Sequence, residues 1–358
     1  MCGKARPFRQ RIVNSGAEPQ KKVGHPEGQR PSAHQAAEPS PRNMKIPFII
    51  AALIFLGLVL LLIREVRRSP GLMKWGKRPV WNKRLRIAFV LLLLIAVGLG
   101  IWSVFIEPNR LVIHAETIKI DSWPQELNGL HITVLADIHT GGPFIDEKKL
   151  NDVVEKTNAL HPDLIVLLGD YMSGNTWHGH RVEPEVTAAV LRNLHAPLGV
   201  FSVLGNHDWW YDGKKVRRAF EQNGIRVLDD EVMELNWQGK SFWLVGLADV
   251  WTRPQHISET IAKTPPDATV IAITHNPDIF PNVPQRVPLL LAGHTHGGQV
   301  NIPFLGTPIV PSAYGPKYTA GHVMENGHHL FVTTGIGISI LPVRFRVPPE
   351  IVLLTIVN

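Results

Sequence analysis

Sulfur chemistry is almost absent from this chain. Cys2 is the only cysteine in 358 residues, so no intrachain disulfide can form and no Cys-based metal site or thiolate nucleophile is available beyond it. A chain this poor in cysteine suits an oxidising or a reducing compartment equally. Acid is scarce in the first quarter and base in the rest. Residues 1–86 carry 18 Lys/Arg against 4 Asp/Glu, and residues 87–358 carry 19 against 26. The net charge of +7 is therefore a property of the N-terminal quarter. The larger part lacks the Lys/Arg excess that a nucleic-acid footprint needs, which argues against a nucleic-acid partner. No internal repeat is present, which excludes solenoids and propellers.

The length leaves room for one large domain with appendages, or for two domains. Residues 1–43 are rich in Pro, Gly, Gln, Ala and basic side chains without apolar periodicity, and read as a disordered or non-native N-terminal extension. Met44 opens directly onto an apolar run and is the expected start of the chain. Residues 46–63 and 87–106 are uninterrupted apolar runs of 18 and 20 residues, each long enough to cross a hydrocarbon core of ~30 Å. Neither leads into a small-x-small cleavage site. Residues 44–107 are therefore expected to form a transmembrane hairpin, with Trp75, Trp81 and Trp102 near its interfaces. The connecting residues 64–86 contain Arg64, Arg67, Arg68, Lys74, Lys77, Arg78, Lys83, Arg84 and Arg86 against Glu65 alone. By the positive-inside rule this loop is cytoplasmic. The expectation is a two-span protein of the inner (cytoplasmic) membrane with its catalytic domain extracytoplasmic.

From about residue 125 the pattern alternates strand and helix. Strands are expected at 130–136, 163–168, 199–204, 269–273, 288–291, 329–333 and 350–357, with a hairpin at 232–237 and 242–247. Helical patterns fall at 147–160, 184–194, 214–223 and 256–263. This order predicts an α/β domain over 125–358 with a mixed sheet or two stacked sheets.

Several of those strands run straight into ligand-type residues. The islands are Asp137-Ile-His139, Gly169-Asp170, Gly205-Asn206-His207-Asp208, His275 and Gly293-His294-Thr-His296-Gly297. Apolar strands of α/β domains deliver polar groups to a crevice at their carboxyl ends, and these islands sit there. Each alone is a weak signal, because a short polar cluster after a strand is more often a structural turn. Their ordered combination is not. The donors are oxygen and imidazole nitrogen without sulfur, which suits Mn, Fe or Zn better than a calcium cage.

In these motifs the chain resembles the calcineurin-like metallophosphoesterases, strongly over about residues 130–300. The segment from Gly335-Ile-Gly-Ile-Ser339 through Leu341-Pro-Val-Arg344 to Pro349-Glu-Ile351 is similar to the membrane-associated bacterial subgroup. The resemblance implies a four-layer α/β/β/α sandwich with a binuclear centre holding two divalent metal ions. Carried over by position, Asp137, His139 and His296 bind one metal, Asn206, His275 and His294 the other, and Asp170 bridges them. A hydroxide activated between the two metals attacks the phosphorus. His207 stands apart as the group at the leaving oxygen, with Asp208 as its orienting partner. One departure is Ser173, where the family often has a supporting Asp.

Tyr171, Arg344 and Arg346 are open between substrate contact and packing, and His178 and His180 read as a solvated loop. His322, His328 and His329 read as surface or turn residues. The expected function is a membrane-anchored phosphoesterase hydrolysing phosphodiester or pyrophosphate bonds, on a phosphorylated small molecule or a lipid-linked or cell-envelope compound. No feature calls for an obligate protein partner. Two alternatives stay open: a non-catalytic membrane receptor or scaffold for a phosphorylated ligand, and a cytoplasm-facing nucleotide–lipid pyrophosphatase.

Overall fold

The computed structural model describes residues 83–173 and 180–358, without the side chains of 83–87. The expected extension over 1–43, the first apolar run at 46–63 and His178 lie outside the described residues. The second run is helical. Helix α1, Lys83–Ile101, is rich in Leu, Ile, Val and Ala and has no proline. It passes through a π-turn at Trp102–Ile106 into a 3-10 turn at Glu107–Asn109, where Pro108, which lacks an N–H, sits in the first turn and leaves no helical donor unpaired. The apolar stretch Ala88–Asn109 is 22 residues long, with a mean hydropathy of 2.8 over 18 of them, a length of ~33 Å at 1.5 Å per residue. Leu91, Leu92, Leu94, Ile95 and Leu99 are all exposed, so α1 has no polar face to turn to water. By length and composition it is one helix able to cross a membrane.

Two mixed six-stranded sheets follow. The strands of the first are β1 (Val112–Lys119), β2 (Leu130–Leu135), β3 (Leu164–Leu167), β4 (Val200–Ser202), β5 (Arg226–Val227) and, from the far end of the chain, β12 (Glu350–Val357). Their spatial order is β1-β12-β2-β3-β4-β5, parallel except between β12 and β2. The second sheet contains β6 (Glu231–Trp237), β7 (Lys240–Leu247), β8 (Val270–Thr274), β9 (Leu289–Ala292), β10 (Gly321–Glu325) and β11 (His328–Val332). It is ordered β10-β11-β9-β8-β7-β6, antiparallel at its two edge pairs and parallel within.

Alternation along the strands sorts the side chains between cores. Ile132, Val134, Leu164 and Val166 of the first sheet meet Phe242, Leu244, Ile271 and Leu289 of the second. Ile165 and Leu167 point the other way, onto Leu150 and Val153 of α2 (Glu147–Asn158), Leu191 of α3 (Pro184–Leu191) and Phe220 of α4 (Asn206–Gln222). Val245, Leu247 and Ala272 face Ile257 and Ile261 of α5 (Ile257–Ile261). Covering on both faces explains why β3, β8 and β9 are buried at every position and read as unbroken apolar runs.

Four elements differ from the sequence expectation, the two-residue edge strand β5 being one that was not expected. Helix α4 starts at Asn206, not at 214, because Asp208 in its first turn accepts the Gly205 N–H at 2.9 Å and caps it early. The helical geometry is interrupted at Asp212, so the amphipathic stretch is only its second half. Strand β1 has His114 and Glu116 breaking its apolar pattern, and it exists through full-length parallel pairing with β12. Strand β10 is an exposed edge, and its partner β11 buries His328 and His329.

Candidate metal centre

The islands converge where strands of both sheets end. Asp137 and His139 follow β2, Asp170 follows β3, Asn206 follows β4, His275 follows β8, and His294 and His296 follow β9. All seven are buried. Leaving a strand this sharply needs left-handed backbone, and Asp137, His139, Asp170, His294 and His296 have φ between 49° and 72°. Each such residue costs roughly 1–3 kcal/mol, and such residues cluster where function over-determines the backbone. Asp and His are among the side chains that tolerate it best.

The side chains form two groups that share a carboxylate. In the first, His139 Nε2 lies 3.1 Å from His296 Nε2 and 3.8 Å from Asp170 Oδ2, while His296 Nε2 is 3.7 Å from Asp137 Oδ1. In the second, His275 Nε2 lies 3.0 Å from His294 Nδ1, 3.1 Å from Asn206 Oδ1 and 3.2 Å from Asp170 Oδ2. Lone-pair atoms facing one another at these distances match the edges of a coordination shell. Metal–ligand bonds of ~2.0–2.2 Å give ligand–ligand edges of ~3–3.6 Å.

Burial drives the His139 imidazole down to about 3, helped by nearby His207, and holds His294 and His296 well below the usual range. These rings are neutral lone-pair donors. Burial acts to raise Asp170, but His275 and His207 hold it well below the ordinary carboxylate range. Burial likewise opposes charge on His275, yet the Asp170 carboxylate raises it to about 10. Asp137 is pushed up to about 7 by burial. Asp170 with His139, His294 and His296 thus has the ionised carboxylate and neutral imidazoles that divalent cations require, while a cation would displace the proton from His275, and the oxygen–nitrogen donor set fits such cations.

His207 sits at the rim. It is partly exposed, with its ring 4.8 Å from His139 and 4.9 Å from Trp210, and its backbone N–H donates to Asp170 Oδ1 at 2.8 Å. Asp208 departs from the expected role of orienting it. Asp208 Oδ1 accepts the N–H groups of Tyr171 and Met172, and Oδ2 those of Asp170 and Gly205, at 2.8–3.1 Å. A carboxylate offers about four acceptor sites, and backbone fills them. Asp208 is thus a clamp tying the turn after β3 to the start of α4. The two segments touch so closely that a Cβ on Gly205 would land on Asp170 Oδ1.

Tyr171 and Arg344 are packing residues. The Tyr171 hydroxyl bonds Leu167 O, Val203 O and Ser202 beneath the site. Arg344 is fully buried and donates to the carbonyls of Thr334, Gly335, Gly337 and Val347. It straps down the loop against which Asp137 leans, since Gly337 N–H bonds Asp137 O at 2.6 Å. Arg346 and His180 are exposed. Where the family often has Asp, Ser173 bonds Thr140 O through its N–H at 3.1 Å.

Asp249 escaped the sequence reading, although Val-Gly-Leu-Ala-Asp249 has the same strand-then-acid form. It is buried after β7, accepts the Thr252 hydroxyl at 2.7 Å, and is raised to about 6 by burial. Trp251 then brings its ring to 4.3 Å from that of His294.

Residues 130–298 match the calcineurin-like phosphoesterase family. The chain is 31% identical over 255 residues to the uncharacterized metallophosphoesterase YkuE of Bacillus subtilis (strain 168), covering 70% of this chain and 87% of the relative. It is 29% identical over 238 residues to phosphodiesterase YaeI of Escherichia coli (strain K12), covering 63% and 82%. To the UDP-2,3-diacylglucosamine pyrophosphatase LpxG of Chlamydia trachomatis serovar D it is 25% identical over 309 residues, covering 71% and 92%.

Proposed function

This chain belongs to the calcineurin-like metallophosphoesterases, a family of hydrolases that depend on divalent metals, and we propose that it is a membrane-anchored phosphodiesterase or pyrophosphatase with a binuclear centre. The observation that carries this reading is the pair of buried donor groups meeting at Asp170 with His207 on their open side. Asp137, His139 and His296 would hold one cation, Asn206, His275 and His294 the other, and Asp170 both. When bound, the cations supply Lewis-acid stabilisation of the phosphoryl oxygens and a nucleophile from water near neutral pH. His207 donates a proton to the departing oxygen, which its partly exposed ring at the rim allows. Asp208 holds the Asp170 turn and the His207 turn in one rigid unit. Trp251 and Trp210 pack their rings against His294 and His207.

The three apolar cores support a four-layer α/β/β/α sandwich over 125–358. The apolar runs support a hairpin of two spans over 44–107. Basic residues between them support an extracytoplasmic domain. Tethering favours a lipid-linked or cell-envelope phosphate as substrate, in keeping with the pyrophosphatase relative.

The test is turnover of an aryl phosphodiester with Mn²⁺ by the full chain, against Asp170→Asn and His207→Ala. Equal rates for wild type and both variants would end the reading. The similarity to LpxG favours a second version, the cytoplasm-facing nucleotide–lipid pyrophosphatase. A reporter fused after Asn358 and active only in the cytoplasm would select it.

A further inference from the structure

Six residues beyond His296 the chain enters a tight projecting turn at Ile302. Ile302 and Gly306 exchange both backbone hydrogen bonds at 2.8 Å and close the tip Pro303-Phe304-Leu305. Phe304 is 107% exposed and Leu305 77%. Phe304 also has φ of 68°, a conformation that is an outlier for a bulky side chain. A strained turn thus presents two large apolar groups with nothing among the described residues covering them.

The root of this turn lies against the end of α1. Asn301 N–H bonds Phe345 O at 2.9 Å, and Phe345 N–H bonds Gln299 O at 2.8 Å. The adjoining Arg344 N–H bonds Ser103 O at 2.9 Å, inside the apolar stretch Ala88–Asn109. From Asn301 to Phe304 the chain reaches at most ~10 Å, so the tip stays near the end of the helix. Trp102, Phe105 and Ile106 are exposed there, as is Ile340 on the neighbouring loop. Exposed Arg110 and Arg346 flank this apolar rim. Aromatic and aliphatic groups edged by arginines, next to the end of an apolar helix, fit a lipid interface.

We infer that the Ile302–Gly306 turn is a second membrane contact, seating Phe304 and Leu305 in the bilayer interface beside the end of α1. This deepens the anchored reading of the protein, on which it rests. Because only Gly297 to Asn301 separate the turn from His296, the seated loop holds the metal-centre end of the domain near the lipid surface. The substrate class it selects is a phosphoester or pyrophosphate carried on a lipid.

The test uses the full chain with Cys2→Ser, reconstituted into phosphatidylcholine–phosphatidylglycerol vesicles. A polarity-sensitive fluorophore is placed at Leu305→Cys, at Leu94→Cys in α1, and at Gln238→Cys in the β6–β7 turn. At 305 we expect a blue-shifted emission, quenched about threefold more strongly than at 238 by shallow spin-labelled lipids, as for groups ~5–10 Å into the headgroup boundary. Emission at 305 equal to that at 238, with 94 in an apolar environment, overturns this contact and leaves the span intact. Aqueous emission at both 94 and 305 overturns both readings. A blue shift at 305 that the lipid quenchers do not touch means a protein covers the tip, and also overturns the proposal.

Discussion

Asp170 and Asp208 are joined by a reciprocal arrangement of main chain and side chain. Asp208 Oδ2 accepts the Asp170 N–H at 2.8 Å, and Asp170 Oδ1 accepts the N–H of His207, the residue before Asp208, also at 2.8 Å. Two acids from different strand ends thus fix each other's backbone, yet only one faces the donor groups. The other is consumed by N–H bonds, so substitutions at the two positions should separate.

Asp208→Ala leaves its four N–H donors without their acceptor. Unsatisfied buried groups cost ~1–3 kcal/mol each, partly relieved by water, so a loss of about 3 kcal/mol in urea unfolding is expected. Asp170→Asn keeps an oxygen that can accept the His207 N–H and is expected to cost less in urea unfolding than Asp208→Ala, while losing metal-dependent turnover. Equal destabilisation by both would contradict this division.

Metal binding should stabilise the protein. A ligand that binds only the folded state adds about 2.7 kcal/mol at a hundred times its dissociation constant. Adding Mn²⁺ after chelator treatment should therefore raise the melting temperature of the wild type. The rise should shrink in an Asp137→Asn/His296→Ala double variant, which removes one of the two donor groups, and an undiminished shift there would place the ions elsewhere.

His207→Ala should lower kcat by ~10²–10⁴, the usual contribution of a positioned acid, with metal content unchanged by elemental analysis. Substrates with acidic leaving groups need less protonation and should lose least. A uniform loss across leaving groups would argue for a binding role.

A pH effect is expected at the β1–β12 pairing, away from the metal centre. His114 Nδ1 lies 3.1 Å from Glu350 Oε2. The hydrogen bond to Glu350 raises His114 above its ordinary 6.5. Burial acts to raise Glu350, but His114, the Thr334 N–H and the Thr333 hydroxyl bring it below 4.5. The histidine's contribution is full below 6.5 and is lost as pH rises through its raised value. The carboxylate's contribution is full above 4.5 and is lost as pH falls through its lowered value. The stability difference between wild type and His114→Gln should therefore be largest between pH 4.5 and 6.5. A flat difference across pH 4 to 8 would refute the linkage, since both groups ordinarily titrate within about that range.

The residues of the candidate centre were legible because their signal is local. An apolar strand followed at once by Asp, His or Asn recurs at each island, and an apolar run of 20 residues becomes α1 because leucine, isoleucine and alanine favour helix. Asp249 carries that same local form. What the sequence by itself determined about this protein is thus the set of candidate donors, the strand order along the chain and the apolar helix. Only the tertiary structure decided that the two sheets bring those donors within 3–4 Å, because facing donors such as His139 and His296 are 157 residues apart. It also decided that Asp208 holds backbone and not His207, that Arg344 is buried, and that Phe304 is not. A charged or aromatic side chain has no local signature for what it will meet. Its role follows from which N–H and C=O groups of distant segments are left to satisfy, and which apolar surfaces are left uncovered.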